Sequence, residues 1–129
     1  MLQLTPHLFV EDMQRSIAFY RDILGFEVRR AEPEAAPTFA SLARGDSLLM
    51  LSPFGESFGD WKVADVAEHR RGQLGPVSFY IEGGDLEADY QRVLDAGTNI
   101  VDPLAARAWG QREFTLADPD GFLWAIWKV

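Results

Sequence analysis

FVEDMQRSIAFYRDILGFEV, residues 9–28, reads as the end of a strand running into a helix. Asp12 is the N-cap candidate, because its carboxylate can accept from the amides that the first helical turn leaves unpaired. Met13, Ile17, Tyr20 and Leu24 then recur at three- and four-residue spacing and form one apolar stripe, and Gly25 stands where a left-handed C-terminal cap belongs. Outward from this helix, Leu2 to Val10 carries strand-favouring residues in alternation. Phe26 to Arg30, Thr38 to Ala43 and Ser47 to Ser52 read as three further strands, the last two joined by a tight Arg44-Gly45-Asp46 hairpin. The order is βαβββ.

A second stretch, YIEGGDLEADYQRVLDAGTNI at residues 80–100, repeats the signal. Val77 to Glu82 is a strand, Asp85 an N-cap candidate, and Leu86, Tyr90, Val93 and Leu94 an apolar stripe ending at Gly97. Strands are expected at Asn99 to Asp102, Arg112 to Ala117 and Phe122 to Lys128. The landmarks Val10/Ile81, Tyr20/Tyr90 and Gly25/Gly97 lie 71, 70 and 72 residues apart, while Phe39/Phe114 and Met50/Ala125 lie 75 apart. Order and spacing agree, so the chain is read as α+β, built from two βαβββ modules at 1–53 and 75–129 within one domain. The connection between them, residues 54–74, holds a weak helical stretch from Asp60 to Arg71. Its length suits a lid or a binding loop, and Phe58 and Trp61 suggest docking on something apolar.

Composition narrows the function. The 129 residues include no cysteine, so thiolate chemistry, disulfides and cysteine zinc sites are excluded, and His7 and His69 are the only imidazoles. Twelve Lys and Arg stand against 20 Asp and Glu, a net charge of −8, which argues against a nucleic-acid partner and mildly favours a cationic ligand. No apolar run approaches the roughly 20 residues that span a bilayer, so no membrane partner and a soluble, cytoplasmic protein are expected.

TPHLFVEDMQRSIAFYRDILGFEV and WGQREFTLADPDGFLWAIW resemble the vicinal oxygen chelate superfamily, which includes glyoxalase I, extradiol dioxygenases and the bleomycin-resistance proteins. Asp12, Ser16, Phe19 and Tyr20, then Leu24, Gly25 and Phe26, and the hairpin Asp118-Pro119-Asp120-Gly121 carry the resemblance. It implies two βαβββ modules whose mixed sheets curl around a cleft, helices on their outer faces, and a homodimer. It also implies, in catalytic members, a divalent cation held by His, Glu or Gln at four positions. Those positions fall here on Thr5, on or beside Met50, on Pro76 or Ser78, and on Ala125. Hydroxyl, thioether, imino-acid and methyl groups are poor ligands for Mg²⁺, Mn²⁺ or Zn²⁺, so neither metal nor other cofactor is expected.

With the metal positions implied by the resemblance marking the concave face, strand alternation puts Thr5, His7 and Phe9 on the cleft face with Leu48, Met50 and Ser52, and Ser78, Tyr80 and Glu82 with Leu123, Ala125 and Trp127. Such a cleft is aromatic with a few polar groups, as binding pockets usually are. It offers no paired acid and base and no Ser-His-Asp order. Arg107 to Phe114 resembles the Trp-Gly-x-Arg-Glu-Phe segment of bleomycin-resistance proteins, whose Trp lies by the drug crevice, and this implicates Trp109, Gly110 and Glu113. The expected ligand-binding residues are His7, Phe9, Phe39, Met50, Trp61, Tyr80, Trp109, Gly110, Glu113 and Trp127, with no catalytic residue. The expected function is metal-free binding of a small aromatic or cationic compound, sequestered as bleomycin-type antibiotics are. The alternative is a glyoxalase-like metal-dependent lyase or dioxygenase, so enzymatic activity stays open, with the emptied ligand positions weighing against it.

Overall fold

A computed structural model describes residues 2–54, 57–58 and 61–129, apart from the side chains at 57, 58, 61–64, 66 and 67. The chain divides into two compact units, Met1–Arg71 and Gly72–Val129. In the first, β1 (His7–Val10) leads into α1 (Met13–Ala18), and β2 (Glu27–Glu32), β3 (Phe39–Arg44) and β4 (Ser47–Pro53) follow. The sheet order is β1-β4-β3-β2, with β1 parallel to β4 and the rest antiparallel. A small hairpin of β5 (Ser57–Phe58) and β6 (Trp61–Lys62) and then α2 (Val63–Arg70) complete the unit. The second unit repeats the plan: β7 (Ser78–Glu82), α3 (Leu86–Asp95), β8 (Ile100–Ala106), β9 (Arg112–Ala117) and β10 (Leu123–Lys128), in the order β7-β10-β9-β8. The fold is α+β, with two four-stranded mixed sheets.

The sequence signals for both helix starts hold. Asp12 Oδ1 accepts from the Arg15 amide at 3.1 Å and Asp85 Oδ1 from the Ala88 amide at 3.1 Å. Gly25 and Gly97 adopt φ of 74° and 68° past the helix ends, a conformation that costs most other residues about 1–2 kcal/mol. Parity also holds. Leu8, Val10, Leu49 and Leu51 are buried on one face of the first sheet, with Met13 and Ile17 of α1. In the second unit Ile81, Phe114, Leu116, Trp124 and Ile126 are buried with Leu86 and Val93 of α3. Rings lock this layer, Tyr90 to Phe114 at 4.9 Å and Phe79 to Trp124 at 4.8 Å.

Register corrects three of the landmarks used to align the modules. Ala40 pairs with Leu51 and Phe114 with Ile126, so Phe114 corresponds to Ala40, and the counterpart of Phe39 is Glu113. A slip of one residue moves a side chain to the other face, which is why Phe39 and Phe114 do not correspond despite their matching identity. Likewise Leu8 pairs with Leu51 and Ile81 with Ile126, so Ile81 answers to Leu8 rather than Val10. From Asp12/Asp85 the helices keep a constant offset of 73, making Val93 the counterpart of Tyr20, both wholly buried, and Asp89 the counterpart of Ser16, both buried polar residues. At Gly25/Gly97 the offset drops to 72, because the first module has one more residue there. It is absorbed by a π-helical turn, Phe19–Ile23, the usual signature of a single-residue insertion into an α-helix.

Other boundaries move as well. The first strand begins at His7, not Leu2, and Leu2 and Leu4 are exposed; β8 runs on to Ala106 rather than stopping at Asp102. The connecting segment contains the β5–β6 hairpin, where a single weak helical stretch was expected, and its helix is shorter than expected. The Asp118-Pro119-Asp120-Gly121 hairpin is structural: Asp118 Oδ1 accepts from the amides of Asp120 (2.9 Å) and Phe122 (2.8 Å). Gly121, at φ 88°, sits so close to the backbone of Gln73 that a Cβ would lie 2.3 Å from its carbonyl oxygen.

Candidate functional site

In the second unit the face turned away from α3 carries a polar cluster around Glu113. This side chain sits between Trp127 and Ala105 on the neighbouring strands and is 4% exposed. A buried carboxylate needs donors, and it has them. Glu113 Oε1 accepts from Trp109 Nε1 at 3.1 Å and, at the long limit, from Gln111 Nε2 at 3.4 Å. Tyr80 reaches it from β7, and the hydrogen bond to Glu113 is the largest cause holding the phenol above its ordinary value; burial and the Glu113 charge add to it, while Arg107 opposes. Tyr80 pairs with Ala125 in β10, and a methyl group there leaves room for the phenol to lie across toward β9.

Local chain geometry presents Trp109. The Gly110 amide donates to the Arg107 carbonyl at 3.1 Å and the Arg107 amide to the Gln111 carbonyl at 2.8 Å, while Gly110 takes φ 92°. This is a three-residue hairpin loop closed by a left-handed glycine, the arrangement Gly110 makes possible. Arg107 fastens it: Nη2 donates to Asp102 Oδ2 at 2.8 Å, and more weakly to the carbonyls of Pro103 (3.3 Å) and Glu113 (3.4 Å). Trp109 at 65% and Tyr80 at 57% exposure are therefore large aromatic surfaces open to solvent, each fixed along one edge by a buried acid. Trp127 is half-buried beside them. Glu82 does not join the cluster; it pairs with Lys128 at 3.0 Å.

The corresponding face of the first unit is built differently. His7 pairs with Met50 in register and donates or accepts at Ser52 Oγ, 2.8 Å from its Nε2. The Phe9 ring tilts against the imidazole at 4.4 Å and Phe39 meets it edge-on at 6.5 Å. Burial lowers the His7 pKa below its ordinary value, so the ring is neutral at pH 7. His7, Phe9 and Phe39 are thus brought together, with Met50 beside His7 in the sheet; Ser52, 2% exposed, is the member the candidate list lacked, although its parity placed it there. Asp102, Arg107 and Gln111 were also missed, since nothing in their spacing announces a shared partner. The Trp61 backbone lies in β6, but its side chain, like that of Phe58, is outside the described residues.

The inherited metal positions do not fit a hard cation. Thr5 and Pro76 precede their strands, Ser78 opens β7, Met50 offers a thioether and Ala125 a methyl group. Among the described residues no three His, Asp or Glu come together, and no helix is long and apolar enough to cross a membrane.

The family described as the Glyoxalase/Bleomycin resistance protein/Dioxygenase superfamily matches residues 2–126. The chain belongs to this superfamily. An uncharacterized protein of Mycobacterium bovis is 28% identical over 130 residues, covering 95% of this chain and 80% of its own length. TioX from Micromonospora sp. ML1 superimposes with a TM-score of 0.79 at 22% identity, covering 99% of this chain and 98% of its own. A glyoxalase/bleomycin resistance protein/dioxygenase from Nocardioides does so at 0.74 and 21%, covering 98% and 83%. At these identities the two structures speak for the fold.

Proposed function

We propose that this superfamily member binds a small aromatic or cationic compound without using a metal, on the Trp109–Tyr80 surface, and that it does so as a homodimer sequestering a bleomycin-type molecule. One observation carries the reading: two exposed aromatic side chains, Trp109 and Tyr80, lie at a buried carboxylate, Glu113, which accepts from Trp109 Nε1 at 3.1 Å. Rings held in place lose little freedom when a flat ligand stacks on them, and a buried acid strengthens their attraction for cations. The donor-poor inherited metal positions support the metal-free part.

Titration with bleomycin and related aromatic cations should quench tryptophan fluorescence and raise the melting temperature. Trp109→Ala should weaken binding at least tenfold while keeping the fold. No quenching and no thermal shift across the panel would overturn the proposal, and a stoichiometric divalent metal in chelator-free protein would favour the lyase or dioxygenase alternative.

A further inference from the structure

The His7–Ser52 pair lies in the other unit and plays no part in the aromatic surface above. The geometry points to a nucleophile and general base: Ser52 Oγ stands 2.8 Å from His7 Nε2, on a sheet face walled by Phe9, Phe39 and Met50, and can take an acyl group from an activated aryl ester. A serine hydroxyl is a weak nucleophile until a base in hydrogen-bond reach removes its proton during attack, and 2.8 Å satisfies that requirement. With the ring proton on Nδ1, the Ser52 hydroxyl donates to Nε2. Burial keeps the imidazole unprotonated at neutral pH, which leaves that lone pair available.

Two constraints fix the imidazole. The tilted Phe9 ring at 4.4 Å and the edge of Phe39 at 6.5 Å restrict its rotation, so the pair is set by packing as well as by its own hydrogen bond. The same aromatic walls, with the Met50 thioether beside His7, suit an apolar aryl group better than an alkylammonium or a phosphate. Ser52 is 2% exposed, which favours a small acyl donor.

The step balances without any further reagent. Ser52 Oγ attacks the ester carbonyl carbon as its proton passes to His7 Nε2. The bond from the carbonyl carbon to the aryl oxygen breaks, His7 returns the proton to the departing phenolate, and the acyl group remains as an ester on Ser52. Water activated by the same imidazole can later release the acid. An aryl oxide is a better leaving group than the Ser52 alkoxide, so acylation should outrun deacylation and the acyl group should accumulate on the protein.

The test uses p-nitrophenyl acetate with the full chain, following nitrophenol release and mapping acetyl groups by peptide mass spectrometry. The expected result is a burst approaching one nitrophenol per chain with acetyl on Ser52. Ser52→Ala should abolish that burst, and His7→Gln should slow it about 100-fold, the lower range for loss of a general base. Circular dichroism verifies that each variant is folded, and the bleomycin titration, which reads the other unit, fails or succeeds independently of the acylation. Acetyl found only on lysines, tyrosines or the N-terminus would overturn the inference, as would Ser52 acetylation unchanged in His7→Gln.

Discussion

The two units share one topology and one strand order, yet their helices and their open sheet faces are built on different solutions. The first helix carries an extra residue as a π-turn, whereas α3 reaches its glycine cap without one. On the sheets, the register-equivalent pairs His7/Met50 and Tyr80/Ala125 show the divergence at one place in the fold. Opposite a long thioether, an imidazole turns to a buried hydroxyl on the next strand position; opposite a methyl group, a phenol extends to a buried acid two strands away. Phe39 and Glu113 occupy equivalent positions as well, one closing an apolar wall and the other collecting donors. A repeated backbone fixes where side chains point, and the volume of one neighbour then decides what they reach.

The comparison can be broken at its hairpins first. Both β-hairpin loops preceding the last strand contain a left-handed glycine, Gly45 at φ 58° and Gly121 at φ 88°, but only Gly121 also abuts backbone. Gly121→Ala should destabilise the protein by about 3 kcal/mol or more in urea denaturation, and Gly45→Ala by about 1 kcal/mol. Equal losses would mean that the contact with Gln73 contributes nothing.

Next comes the buried acid. Glu113→Ala leaves the Trp109 indole N–H without its acceptor and should cost about 2 kcal/mol, while Phe39→Leu at the equivalent position should cost about 1 kcal/mol. The same acid can be read through Tyr80. Because its folded pKa is raised, Tyr80 adds stability below the ordinary tyrosine value of 10.0 that is lost as pH rises through the folded value. In Glu113→Gln the phenol should titrate closer to 10.0 in an ultraviolet absorbance titration, and an unmoved curve would remove the hydrogen bond from the account.

His7 gives the opposite sign. Its folded pKa lies below 6.5, so the unfolded chain binds the extra proton and stability falls as pH drops below 6.5, levelling off once the folded ring also protonates. Denaturation midpoints from pH 7 to 5 should show that loss, and His7→Phe should flatten it. Trp109→Ala takes from the buried Glu113 its 3.1 Å donor and should cost about 1 kcal/mol, although most of the ring already faces water.

Much of this was legible from short-range signals. Asp12 and Asp85 as caps, Gly25 and Gly97 as helix ends, and the period-two burial of Leu8, Val10, Leu49 and Leu51 each depend on a few neighbouring residues, so local chemistry specifies them. The identity of matching aromatics misled, because Phe39 and Phe114 differ by one step of register and pleating turns that step into opposite faces.

By itself, the sequence determined the βαβββ repeat, the caps, the faces of the strands and the absence of cysteine chemistry, since periodicity and composition are properties of the chain alone. Only the tertiary structure decided that Ser52 meets His7 across 45 residues, and that Tyr80, Trp109 and Gln111 converge on Glu113. Those partnerships depend on strand pairing between distant segments, and pairing register is set by the packed core as a whole, which no local pattern encodes.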